Sequence, residues 1–451
     1  MILNWQENSE LVEVYQSIDE EAVNYNLRPI TFLIATDRNF SYASFIRSLE
    51  ESLKGSLILE TRNLLHLFVA HNDSEVPLQA PEWLKIVPQQ LKSVQKNENN
   101  IGAMRICQTE LATQAVKELQ NPILVVMDDD LRFESLTVKD TILELSFPFS
   151  YVHELYLFHK KYECDVALGG VTGSPPLPAT SSIRTFIGDI LSDPEKVNKN
   201  PSRWHDIDYY YDLSETRETW EPWSTTTSLK GHAVNSNEHG FFDQMFLSGP
   251  RHRPLVLLEE PRRVTPQKTI TRGGNTIIFN HRFLTEIEHP KLRRRGDSIW
   301  AILASEKGAR ILAFPAPLYH DRANLTYTYE ALERRMTDDL FGTALQRAMT
   351  TSLEDFEFIF SNRISRQGVL LRESISLLEE SLTKIPKARG VAGSLWTMKR
   401  KMRERFIKES MGILKSLLSG LEQFESETVE MVKYSNMLVK SLRYDLQLVV
   451  I

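Results

Sequence analysis

Apolar residues along the chain fall into short continuous runs that alternate with stretches of helical spacing. Residues 30–35, 66–71, 84–87 and 123–127 are mostly apolar runs of strand length. Runs of this kind predict strands buried on both faces of a parallel sheet. Around them, Leu11, Val12, Val14, Tyr15, Ile18 and Ala22 share one helical face, as do Phe45, Ile46, Leu49 and Leu53. Residues 99–119 and 151–161 read as further helices, 164–172 as strand and turn, and 271–280 as a turn feeding a strand. Ile299, Trp300, Ile302 and Leu303 mark another helix, and a last strand precedes His320. This alternation predicts the α/β class, a sheet flanked by helices. From Glu330 the pattern changes. Leu370, Leu371, Ile375, Leu378 and Leu382 mark one amphipathic helix, and Met411, Leu414, Leu418, Leu421 and Phe424 another. We therefore expect one domain over 1–328, with an irregular insert at about 175–265, and a C-terminal α-helical region over 329–451.

The run at 123–127 is opened by Asn121 and Pro122 and closed by Asp128, Asp129 and Asp130. Three carboxylates at one strand end repel one another unless something cationic neutralises them. Carboxylate oxygens suit Mg²⁺ or Mn²⁺, and the carboxyl ends of strands are where open α/β sheets bind ligands. Strand alternation would point Asp128 and Asp130 one way and Asp129 the other. The bland alternative is a solvated acidic turn.

A hydrophobic strand followed by Asp-x-Asp resembles the metal and nucleotide-sugar motif of the GT-A glycosyltransferases. The resemblance implies a GT-A-like fold, a Rossmann-like central mixed sheet flanked by helices, with 1–328 as the catalytic domain. Further stretches are similar to that family in the same order, over roughly residues 28–325. Thr36, Asp37 and Arg38 follow the first strand, where the resemblance implies contact with the donor nucleoside; Asp37 could equally cap the next helix. Asn100, Gly102 and Arg105 match an Asn-x-Gly loop and following arginine. Glycine permits close approach to a ligand and Arg105 could fork onto phosphate or ribose, or the stretch is a surface loop. Gly273, Gly274 and Asn275 match a glycine-rich turn that touches the transferred sugar. Asp297 stands at the start of a helix, where inverting members place the catalytic carboxylate. The frequent Glu-Asp pair reads Gly296-Asp297 here, and an N-cap or first-turn role is the simpler reading of Asp297. His320 matches a third metal ligand after Asp128 and Asp130.

The resemblance implies a metal-dependent glycosyltransferase. It would use Mn²⁺ or Mg²⁺ to move a sugar from a UDP- or GDP-type nucleotide-diphosphate sugar to a hydroxyl acceptor, a glycan or lipid-linked group. Inversion is expected, with retention open. Asp128 and Asp129 would also contact the donor. The alternatives are a nucleotidyltransferase making an activated sugar, and a non-catalytic scaffold on the same fold.

Composition narrows the partners. With 451 residues, 41% hydrophobic and 25% charged, the chain can bury a sizeable core. A formal net charge of −7 argues against nucleic acid. Cys107 and Cys164 lack metal-like spacing, and no P-loop, HExxH or paired CxxC motif occurs. The amino terminus lacks a basic segment and an apolar core, so no secretory signal is expected. A cytoplasmic location follows as the default. The basic stretch 384–405 with Trp396 could contact a membrane surface or, with its helices, a second copy. Arg293, Arg294 and Arg295 face either an anion or solvent. The aromatic insert around Trp204, Tyr209 and Trp223 reads as a lid or as local packing.

Overall fold

The computed structural model describes residues 4–24, 27–36, 42–61, 64–71, 81–90, 101–139, 142–173, 224–228, 254–258, 265–270, 274–290, 292, 294–321, 329–350, 356–383, 394–427, 432–433, 435–437 and 439. It divides into two compact units. One holds Met1–Pro175 and Pro254–Ala323, the other Asn324–Ile451, and the stretch between 175 and 254 is shared between them. The expected boundary at 328 lies outside the described residues. Most of the expected insert, including its aromatic residues, lies outside the described residues.

The first unit is built on a mixed sheet of twelve strands among the described residues. Strands β1 (Ile30–Thr36), β2 (Leu65–His71), β3 (Lys85–Gln90) and β4 (Ile123–Met127) run parallel in the order β3-β2-β1-β4. They are the apolar runs of the sequence, and β1 is buried along its whole length. A short β5 (Leu131–Arg132) and the antiparallel pair β6 (Ser135–Lys139) and β7 (Ile142–Ser146) follow. Then come β8 (Val166–Gly173), β9 (Ser224–Ser228), β10 (Pro254–Leu258), β11 (Asn275–Ile278) and β12 (Ile311–His320). Strand β11 lies antiparallel between β4 and β8, and β12 is parallel to β8. Hence β1, β4, β8 and β12 all end at one edge of the sheet. The β6–β7 pair escaped the sequence reading because its strands are short and polar at alternate positions. Strand β12 accommodates Pro315 and Pro317, which cannot donate to a ladder, by a register shift between Phe314 and Leu318.

Helices cover both faces. On one side pack α1 (Ser9–Asn24), α2 (Tyr42–Ser52) and α4 (Tyr151–Lys161), with Tyr15, Phe45 and Leu155 against Phe32, Val69 and Val125. On the other side α3 (Ile101–Glu118), α5 (Arg282–Glu286) and α6 (Gly296–Glu306) bring Leu111, Phe283 and Trp300 against Leu33, Phe68 and Leu124. Helix α1 is tied to α4 by a buried polar knot. Asp19 Oδ1 lies 3.1 Å from His153 Nε2 and accepts from Ser56 Oγ at 2.6 Å. His153 is fully buried, so this grouping of Ser, His and Asp is a tie between helices.

At the opposite edge Arg28 gathers the strand ends. It donates to the carbonyls of Asn121 at 2.8 Å, Pro122 at 3.1 Å and Phe279 at 2.8 Å, and to His159 Nε2 at 3.0 Å. Burial, then the Arg28 charge, holds His159 below its ordinary value of 6.5. Burial likewise lowers His281, whose Nε2 lies 2.6 Å from the Pro122 carbonyl. Both rings are therefore neutral in the fold at pH values where the unfolded chain already takes protons. Their contribution to stability is complete above the unfolded value and is lost as pH falls through the folded one. Melting temperature should drop between about pH 7 and 5, and His159→Gln should flatten that drop. An unchanged slope in the variant removes this explanation.

The second unit contains α7 (Tyr329–Thr350), α8 (Phe356–Thr383) and α9 (Ser394–Glu427), which pack on one another. Leu371, Leu378, Leu414 and Leu421 are buried, as their helical spacing predicts. Phe341 of α7, Phe356 and Phe360 of α8, and Phe424 of α9 form one aromatic cluster. Among the described residues, no helix is long and apolar enough to cross a membrane.

Candidate functional site

The order β3-β2-β1-β4 places the chain's reversal point between β1 and β4. The helix after β1 packs on one face and the helix before β4 on the other. A crevice at the carboxyl ends of such a strand pair is the usual ligand position in open α/β sheets. Thr36 closes β1, and Asp128, Asp129 and Asp130 follow β4. Pairing between the two strands stops at Ile34 and Met127. Past that point Gln108 of α3 spans the gap, its amide donating to the carbonyls of Leu33 at 2.9 Å and Met127 at 2.6 Å.

The three acids diverge. Asp129 accepts from the Thr36 hydroxyl at 2.5 Å, which bridges the two strand ends. Asp128 is paired with Arg105. Asp130 Oδ2 lies 3.1 Å from His320 Nε2, at the end of β12. Residues 128–130 leave the strand in a turn, with Leu131 N reaching the Asp128 carbonyl at 3.4 Å. Strand alternation therefore stops at Met127. The expected common direction of Asp128 and Asp130 does not appear, because that expectation extended the strand period into a turn. The ladder pair His320↔Leu131 and the bond from Asp321 N to the Asp130 carbonyl, 2.8 Å, fix the histidine beside Asp130.

Arg105 is almost wholly buried, at 6% exposure. Its Nε and one terminal nitrogen reach Asp297 at 2.8 and 3.3 Å, and the other reaches Gln108 at 2.6 Å. The nitrogen shared with Asp297 also donates to Asp128. Burial opposes the charge of this guanidinium, but Asp128 and Asp297 outweigh burial and hold its pKa above the ordinary value. Every nitrogen of Arg105 is thus engaged within the protein. Asp297 is the second residue of α6 and so a first-turn acid, the N-cap being Arg295. Arg295 takes a left-handed φ of 63°, a conformation that costs a non-glycine residue about 1–2 kcal/mol. His289 Nε2 stands 3.3 Å from Asp297 Oδ1, and its Nδ1 is 3.0 Å from the Pro290 carbonyl. Beneath this bridge a cavity opens between Val126, Ile278, Ile287 and Trp300, with Arg105, His289 and Asp297 at its rim.

Asn275 sits at the same edge but is fully buried. Its amide donates to the Tyr151 hydroxyl, and its oxygen occupies the space opposite Gly169, where a Cβ would lie 1.8 Å away. Gly274 is packed so that a Cβ would come within 2.8 Å of Val171. Gly102 lies buried in the first turn of α3. Asp37, Arg38, Asn100 and Gly273 lie outside the described residues.

The sequence matches no known family model and no curated protein. The site therefore stands on its own geometry. Gln108 and His289 were not among the residues singled out from sequence. Gln108 falls three positions after Arg105 on one helix face, a spacing that could have flagged it. Nothing local marks His289.

The His320–Asp130 pair can be tested against a divalent ion. Two adjacent ligands of an octahedral cation, each at about 2.1 Å, stand roughly 3 Å apart. The observed 3.1 Å between Nε2 and Oδ2, an ordinary hydrogen-bond length, also fits that spacing. Among the described residues no group of three or more His, Cys, Asp or Glu that could hold a metal ion is present.

Proposed function

We propose that the protein is a metal-dependent glycosyltransferase that moves a sugar from a nucleotide-diphosphate sugar to a hydroxyl acceptor. The observation that carries this reading is the meeting of His320 with Asp130 at the β1–β4 crevice. Asp130 and His320 would hold Mn²⁺ or Mg²⁺, with donor phosphate oxygens and water completing its shell. Bound there, the ion supplies charge stabilisation for the leaving diphosphate. Thr36 and Asp129, joined across the crevice, face the nucleoside. Asp297 is assigned to take the acceptor proton. Of its two oxygens, Oδ2 carries the longer Arg105 contact, 3.3 Å, and is the one assigned to the acceptor. The buried, packed positions of Gly274 and Asn275 support a role in shaping the floor of the site.

The test is thermal stability with UDP-, GDP- and CDP-sugars, with and without Mn²⁺. A ligand at a hundred times its Kd adds about 2.7 kcal/mol, a shift of several degrees. We expect the shift only with metal and diphosphate-sugar together. A preference for nucleoside triphosphates would favour a nucleotidyltransferase, and no metal-dependent shift with any nucleotide would leave a scaffold.

A further inference from the structure

Each acid after β4 has its own partner from a different element: Asp128 has Arg105 of α3, Asp129 has Thr36 of β1, and Asp130 has His320 of β12. The last pair joins two groups that ligate divalent ions, whereas in the first pair the partner of the carboxylate is a cation. Asp128 is bound by a buried cation that is also locked to Asp297 and Gln108. Moving Asp128 onto a metal would strip that guanidinium of one of its two counter-charges inside the protein, which is costly.

We infer that Arg105 is a positioning residue: it holds Asp128 out of the cation's coordination shell and fixes Asp297, and binds no part of the donor itself. The inference rests on the proposed metal site and deepens it. Arg105 serves as the permanent counter-ion of Asp128, which leaves Asp130 and His320 as the protein's ligands. Its guanidinium spans Asp128, Asp297 and Gln108 from one side chain. Lysine, a single ammonium, cannot reproduce that fork.

The experiment is Mn²⁺ binding, measured by titration calorimetry on the full chain without donor. Three single variants are compared with the wild type: Asp128→Asn, Asp130→Asn and Arg105→Gln. The double variant Arg105→Gln/Asp128→Asn completes the cycle. The inference expects Asp128→Asn to change Mn²⁺ affinity less than about twofold, whereas Asp130→Asn loses at least tenfold. Arg105→Gln should bind Mn²⁺ about tenfold more tightly, because Asp128 is released to join the cation's ligands. The double variant should lose that gain. Loss of the positive charge alone would tighten binding whether residue 128 is Asp or Asn, so an equal gain on adding Arg105→Gln to Asp128→Asn overturns the inference. Loss of affinity in Asp128→Asn equal to that in Asp130→Asn overturns the inference and leaves the metal site standing. Unchanged Mn²⁺ affinity in Arg105→Gln overturns it too. Should Arg105→Gln fail to fold, Arg105→Met takes its place, with the same gain expected because it fills similar volume and carries no charge to hold Asp128. If neither wild type nor any variant binds Mn²⁺, the metal site itself falls, and the inference with it.

Discussion

Asp130→Asn is expected to lower sugar transfer by about a thousandfold while melting at nearly the wild-type temperature. Losing one preorganised charged group at a reacting centre commonly costs 10²–10³ in rate, and loss of a metal ligand adds weakened binding. The substitution keeps side-chain shape. It removes the charge that faces His320 at 3.1 Å and that a divalent ion needs. The Mn²⁺-dependent thermal shift should vanish in parallel. His320→Ala should be milder, on the order of 10–100-fold in metal affinity, since a water can enter where the ring stood. Full transfer by Asp130→Asn in the presence of a chelator would falsify the metal assignment.

Gly169→Ala is expected to be the most destabilising small substitution near the site, by about 3 kcal/mol. In the ladder Gly169 faces Asn275 on the neighbouring strand. A Cβ there would lie 1.8 Å from the asparagine oxygen and 2.5 Å from its Cγ. The asparagine has nowhere to retreat, because it is fully buried and its amide is bonded to Tyr151. Combining Gly169→Ala with Asn275→Ala removes the colliding amide. The two changes should then be less than additive by at least about 1 kcal/mol, as expected for residues in contact. Denaturant melts of the two singles and the double give the coupling directly. Simple additivity would mean that the two positions do not constrain each other.

Much of the fold was legible because it is local. The run that became β4 is apolar at every position and that of β1 at all but Thr31 and Thr36, a pattern that fits a strand covered on both faces. Helix α3 and helix α6 were visible from spacing, and so were the two long C-terminal helices. The β6–β7 pair was missed, since short half-polar strands look like loop until a neighbouring strand pairs with them. Strand β12 contains two prolines, and only its bulge makes them compatible with a ladder.

The site divided in the same way. That acids would stand at a strand end, and that a histidine would follow the last strand, came from residue order. That Asp128 turns to Arg105 and Asp130 to His320 did not, because the turn at 128–130 ends the two-residue alternation. Arg105 could be picked out as a helix-face cation, but its bonding to Asp297 joins residues 192 positions apart.

The amino-acid sequence by itself determined which apolar runs would be buried, where most strands and helices run, and which chemical groups stand at element ends, since these depend on neighbours within a few positions. Only the tertiary structure decided which opposite charges meet. Partner choice among Arg105, Asp128, Asp297, Asp130 and His320 depends on strand order and helix placement, and a guanidinium taken out of water bonds the carboxylates that the packed sheet brings within reach.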